Sequence, residues 1–125
     1  YIEQYNINGE YMKTFDVSSI PLIKEEMKYG EEFASDDKSV YIYIRDAYLA
    51  NGSIYLLCSS RDSQDGYRVN TILELSIENE MELVSTYILP HGIYSSFCVS
   101  GEYLFASREV DGTTIEKIKI SNAKK

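Results

Sequence analysis

Apolar residues recur with period two along most of this chain, and one phrase of that kind is written three times. Residues 1–7 read YIEQYNI, residues 71–77 read TILELSI and residues 114–120 read TIEKIKI. Each copy is apolar at its second, fifth and seventh positions, and the fifth and seventh fall on one face of a strand. A second phrase, NGSIYLL at 51–57, is echoed by SGEYLFA at 100–106, a turn leading straight into a strand. The two phrases recur in the same order, which predicts stacked all-β units.

Read along the chain, 1–7 and 11–17 form a hairpin around Asn8-Gly9, residues that tolerate positive φ. The period then changes: Ile20, Ile23 and Met27 fall at helical spacing, Ser18 or Ser19 can cap the start, Pro21 suits a first turn and Gly30 can close the end. The spacing predicts one short helix over 19–29, followed by a polar loop over 31–38. Strands follow at 39–45, where Val40, Ile42 and Ile44 alternate with Tyr41 and Tyr43, and then at 46–49, 53–59, 70–77, 82–89, 94–99, 102–107 and 113–120. Polar loops are expected at 61–68, 91–94 and 109–113.

Ile72 and Ile115 are 43 residues apart, within the ~40–50 residues of one four-stranded propeller blade. Ile2 and Ile72 are 70 apart, and the inserted helix and its loop account for most of the excess. With strands of a blade labelled a to d, the inventory is c–d over 1–17, a helical insert over 18–38, a whole blade over 39–89 and a–b–c over 93–120. The expected fold is therefore all-β: antiparallel four-stranded blades of a β-propeller, partial, with one short inserted helix. A chain that ends after strand c matches the natural close of a propeller, whereas one that begins at strand c looks cut. Two and a quarter blades leave unpaired edges, which would permit self-association. A β-sandwich adhesion domain is the competing architecture, and the 43-residue spacing speaks against it.

Four stretches carry a resemblance. Asp46-Ala47-Tyr48 through Ile54-Tyr55-Leu56-Leu57, then 72–77, then 96–100, then Ile115-Glu116-Lys117-Ile118, resemble the C-terminal blades of TolB-like six-bladed β-propeller proteins. The likeness covers most of 39–120. It implies a six-bladed parent of bacterial, extracytoplasmic type, periplasmic, secreted or lipid-anchored, and it implies no catalytic residue. One departure is the hairpin after strand c, where the usual Gly-Lys is replaced by Asn79-Glu80.

Charge narrows the partners. Twenty acidic residues against twelve basic ones give a net charge of −8, which repels phosphate backbones and anionic lipid, so neither nucleic acid nor a membrane surface is expected. The apolar runs are too short for a membrane span, which needs ~20 residues. Cys58 and Cys98 sit in predicted strands and read as buried free thiols. No phosphate-cradling glycine loop, Cys-x-x-Cys or His-Glu-x-x-His occurs, and no cofactor is expected.

Candidate chemistry is sparse. His91, the one histidine, stands between Pro90 and Gly92 as a turn residue with no nucleophile elbow to serve. Asp62, Asp65 and Gly66 make half of a calcium loop without the closing bidentate Glu, so a polar turn is the plainer reading. Asp46 and Glu102 could face a propeller axis, where some propeller enzymes hold a cation. Twelve tyrosines suit strand packing, though exposed rings can also stack on sugars. Blade-end loops are where ligands would be met, which marks Arg61, Asp62, Asp65, Tyr67, His91, Tyr94 and Asp111 as ligand-facing candidates. The expected function is a non-enzymatic binding or scaffolding module for a protein, peptide or glycan. The alternative is a propeller hydrolase of lactonase or glycosidase type, using axial carboxylates and a divalent cation.

Overall fold

A computed structural model describes residues 1–35, 43–62, 66–110 and 112–124, at 33–35, 62 and 122 as backbone only. The elements are β1 (Ile2–Tyr5), β2 (Tyr11–Phe15), α1 (Pro21–Ser35), β3 (Ile44–Ala50), β4 (Ser53–Asp62), β5 (Gly66–Ser76), β6 (Glu82–Ile88), β7 (Ser96–Ser100), β8 (Tyr103–Glu109), β9 (Thr113–Lys119) and α2 (Ile120–Ala123). They build three antiparallel meanders of two, four and three strands, ordered β1-β2, β3-β4-β5-β6 and β7-β8-β9. None closes on itself, so the fold is all-β in the manner of a partial propeller.

The two inner strands of the central sheet, β4 and β5, are buried on both faces, which is why they read as continuous apolar runs, whereas the outer strands β3 and β6 expose Leu49 and Val84. Leu56, Cys58, Leu73 and Leu75 face Phe15, Val17, Ile20 and Ile23 of the β2–α1 side. The alternate residues Tyr55, Leu57, Ile72 and Tyr87 face Phe97, Val99, Leu104 and Ala106 of the three-stranded sheet. The three sheets therefore stack in chain order, each adding its inward face to the next core. The tail closes over the second core: Ala123 is buried there and Lys124 bridges to Tyr87.

Several expectations need correcting. The helix does not stop at Gly30 but runs to Ser35. Glycine costs a helix only ~1 kcal/mol, and the chain after it offers no proline. Its start is two residues later than read: the helix begins at Pro21, which suits the first turn. Ile20 rather than Ser18 or Ser19 immediately precedes it, its O accepting the first helical hydrogen bond from Lys24 N–H at 2.9 Å. The expected strands 39–45 and 46–49 are one strand from Ile44 to Ala50, and 39–42 lie outside the described residues. Of the polar loop expected at 61–68, the described residues are instead ladder: Arg61 pairs with Tyr67 and Asp62 with Gly66. Polar side chains do not prevent the backbone from continuing the hairpin.

The echo of 51–57 in 100–106 is displaced by one residue. Ala50 pairs with Ser53 and Ser100 with Tyr103, so the two turns superpose at a spacing of fifty residues. Asn51 and Gly52 both take positive φ, as in a type I′ turn, whereas in the second turn Gly101 alone does. The glycines occupy different corners of equivalent hairpins. The threefold phrase, by contrast, keeps its faces: Leu75 and Ile118 both point back into a core, and Ile72 and Ile115 both point forward. At the β5–β6 turn, Glu80 and Met81 both take positive φ, a cost of roughly 1–2 kcal/mol per residue. Burial of Met81 and an ion pair between Lys13 and Glu80 hold that turn.

Candidate functional site

All four arginines of the chain, Arg45, Arg61, Arg68 and Arg108, lie toward one end of the strands. It is the end at which β4 turns to β5 and β8 to β9. In a chain of net charge −8 that is a marked segregation. Three arginines belong to the central sheet. Tyr67 of β5 accepts a hydrogen bond from Arg45 Nη2 of β3 at 2.7 Å. The Arg61 guanidinium of β4 lies 4.9 Å from the Tyr67 ring and 3.6 Å from the ring of Tyr29 on α1. Four elements thus contribute to one alternating stack, Arg45–Tyr67–Arg61–Tyr29. Each guanidinium covers the negative face of a ring, a contact worth ~0.5–2 kcal/mol as it loses water. The stack stiffens long side chains that would otherwise lose rotamer freedom on binding a ligand.

The second group adjoins the first through β5. Val69 N–H donates to Gly92 O at 2.8 Å and Tyr94 N–H to Val69 O at 2.9 Å, so the 91–94 segment is zipped onto the strand that carries Tyr67. At its centre Glu116 of β9 accepts from the Tyr94 hydroxyl at 2.9 Å and from Arg108 Nε at 2.8 Å. His91 Nε2 lies 3.1 Å from the same carboxylate, and His91 N–H donates to the Tyr94 hydroxyl at 3.2 Å. Burial, and then the hydrogen bond to Glu116, push the Tyr94 hydroxyl up to about 12. Tyr94 is 1% exposed, so its placement among ligand-facing residues is corrected: its ring is core and its hydroxyl braces the loop.

The structure therefore brings Arg61 together with Tyr67, and His91 together with Tyr94. The backbone of Asp62 is in β4, while Asp65 and Asp111 lie outside the described residues. The half calcium loop falls on the same gap. Asp46 and Glu102 do not converge. Asp46 Oδ2 accepts the Phe97 N–H at 3.1 Å and so ties β3 to β7, whereas Glu102 sits past the far end of β7. Four residues of strand separate them along β7, about 13 Å at ~3.3 Å per residue. Among the described residues, no group of three His, Cys, Asp or Glu side chains is placed to hold a metal ion.

Sequence reasoning missed the acids that these sheets bury. Glu26 of α1, 2% exposed, accepts from the Ser59 hydroxyl at 2.7 Å. Glu74 accepts from Ser53 at 2.9 Å and from the Tyr87 hydroxyl at 2.5 Å. The available signal was position: Glu74 and Glu116 share the strand face of core residues rather than the solvent face. Cys58 and Cys98 are both free thiols, as expected. Cys58 is buried, and burial with Glu26 nearby pushes its thiol up to about 12. Cys98 is only half-buried. Among the described residues, no helix is long and apolar enough to cross a membrane.

Fold and site together define an all-β protein of stacked antiparallel meanders with an arginine- and tyrosine-rich strand end. Compared with known proteins, the chain matches no protein family, no curated protein and no solved structure.

Proposed function

We propose that this chain is a non-enzymatic binding or scaffolding module of β-propeller type, acting outside the cytoplasm, whose ligand is a protein, peptide or glycan. The observation that carries this reading is the Arg45–Tyr67–Arg61–Tyr29 stack at the strand ends. Tyrosine and arginine are the side chains most enriched where binding energy concentrates. Both offer a flat apolar surface with a polar rim, suited to a sugar ring or a peptide plane. The arginines add a preference for carboxylate-bearing partners, since the guanidinium fork matches a carboxylate bidentately. The TolB-like resemblance, six blades and an extracytoplasmic setting belong to the same proposal and rest on the strand phrases. A hydrolase would draw on Asp46 and Glu102, and Asp46 is already engaged in holding two sheets together.

The test is an array of neutral and uronic-acid glycans and of neutral and acidic peptides, probed with the 125-residue chain. A carboxylate-bearing probe should be retained, and Tyr67→Ala and Arg45→Ala should each weaken it tenfold or more, a loss of ~1.4 kcal/mol. Lys24→Ala, on the outer face of α1, should leave it unchanged. Binding that survives both rim substitutions, or no binding to any probe, would refute the assignment.

A further inference from the structure

The stacking of three sheets covers both faces of the middle one at its inner strands β4 and β5 and leaves one face of each outer sheet open among the described residues. The first is the forward face of β7–β9. The ladder sets Cys98 beside Phe105 and Phe105 beside Lys117, with Ser100, Tyr103 and Lys119 in the next row and Ser107 beside Ile115. The Tyr103 and Phe105 rings lie 6.5 Å apart, and Lys117 Nζ is 4.2 Å from the Tyr103 ring. The second is the backward face of β1–β2. There Tyr5 donates to Glu3 at 2.5 Å, the Tyr11 and Thr14 hydroxyls meet at 2.7 Å, and the Tyr5 and Tyr11 rings meet edge to face at 6.0 Å.

The repeat shows what the first face lacks. Ile72 and Ile115 occupy the same place in the threefold phrase and both point forward from their sheets. Ile72 is 0% exposed because the β7–β9 sheet lies over it, while Ile115 is 70% exposed. A β-branched side chain at that position is suited to the face of a second sheet. The two open faces also differ in charge. Lys117 and Lys119 stand on the forward face, with Glu109 at its far row, so two positive charges stand against one negative there, whereas Glu3 is the charged residue among Glu3, Tyr5, Tyr11 and Thr14.

We propose that the chain associates with itself head to tail, the forward face of β7–β9 in one copy packing against the backward face of β1–β2 in the next. The occupant is a second copy because each molecule carries both halves of the contact, aromatic on both sides and opposite in charge. Sheet on sheet is also the mode by which its own three sheets already pack. The joined faces are unlike, so the contact is heterologous and leads to a ring or a growing stack rather than a twofold pair. The contact uses sheet faces rather than strand edges and leaves out Arg45, Arg61 and Tyr67. It therefore stands or falls apart from the ligand reading.

The experiment is light scattering on the 125-residue chain from micromolar concentration up to about 1 mM, a range that captures contacts of modest affinity. The mass should rise above 14.3 kDa toward its multiples. Ile115→Asp and Tyr11→Asp, both at exposed positions, should each hold it at 14.3 kDa with the circular dichroism unchanged. Each variant retains one intact half of the contact, so an equimolar mixture should recover a species of twice that mass. A second pair guards against misfolding: Lys117→Glu and Glu3→Lys should each weaken association and restore it when mixed. A wild-type chain that stays at 14.3 kDa throughout overturns the proposal. So does an assembly that the four substitutions leave intact, or one that mixing fails to restore, since the contact would then lie elsewhere or join like faces.

Discussion

Ile72→Ala and Ile115→Ala make a paired test of the stacking, because the two residues hold equivalent places in the repeated phrase and differ in what covers them. Ile72 is 0% exposed, between Leu57 and Tyr87 in the ladder and under the β7–β9 sheet. Truncation to alanine removes three carbons, ~0.8 kcal/mol each in transfer terms or about 2.4 kcal/mol. A residual cavity of ~50 Å³ at ~24 cal/mol per Å³ adds about 1.2 kcal/mol. The expected loss is ~3.5 kcal/mol, read as a fall of roughly 2 M in the urea midpoint for an m-value near ~2 kcal/mol/M. Ile115 is 70% exposed, so its truncation in dilute solution should cost less than ~1 kcal/mol. Self-association would make only the second cost grow with protein concentration, because binding that favours the folded state adds stability by mass action. Urea unfolding followed by tyrosine fluorescence at low and high concentration measures both. A cost for Ile72→Ala below ~1 kcal/mol, or equal to that of Ile115→Ala at every concentration, would falsify the three-sheet stack.

Three further outcomes follow from the same structure. In the native chain at pH 8, Ellman's reagent should titrate Cys98 and leave Cys58 silent until urea is added, since a buried thiol held near about 12 offers almost no thiolate; two fast thiols would show that the core around Cys58 is open. Tyr87 and Tyr94 are both pushed up to about 12, chiefly by burial, from the ordinary tyrosine value of 10.0. Between about pH 10 and 12 the folded state keeps protons that the unfolded chain releases, so stability is intact below pH 10 and falls as pH rises through that window. Phenolate absorbance should then rise together with unfolding for these two residues, and free ionisation of every tyrosine near pH 10 without unfolding would contradict it. Calcium or manganese added to millimolar level should leave the melting temperature unchanged, whereas an upward shift of several degrees would favour the hydrolase with its axial cation.

What could be read from the sequence was what depends on period and face. The threefold phrase works as a guide because each strand is half of a sheet-to-sheet contact, so its apolar positions must keep their side. Turn residues were a weaker guide. Gly52 and Gly101 match in the text, yet one takes the second corner of its turn and the other the first, because either corner accepts a residue with positive φ. The polar run at 61–68 hid a ladder at its described residues, since pairing is made by backbone groups that composition does not report. The site was legible only as a place. Arg61, Tyr67 and His91 could be assigned to one end of the strands, but their partners Arg45, Tyr29 and Glu116 come from elsewhere in the chain. Only three-dimensional packing makes Arg45, sixteen residues after Tyr29, a neighbour of the same ring system.

The separation between strand ends and sheet faces has a functional consequence. The arginine–tyrosine rim lies at the ends of the strands, and the open faces lie at the two ends of the stack. Head-to-tail association of the kind proposed would therefore add rims side by side and leave the strand ends uncovered. A binding group assembled by stacking of single contacts is of modest strength, but copies repeated along a stack bind a long or repetitive partner as an intramolecular event after the first contact. Avidity of that kind can exceed single-site affinity by ~10²–10⁴. If both proposals hold, a carboxylate-bearing polymer rather than a small molecule would be the partner for which both the rim and the open faces have a use. The ratio of its affinity for wild type to that for Ile115→Asp measures how far the two features work together, and a ratio of one would mean that the rim binds alone.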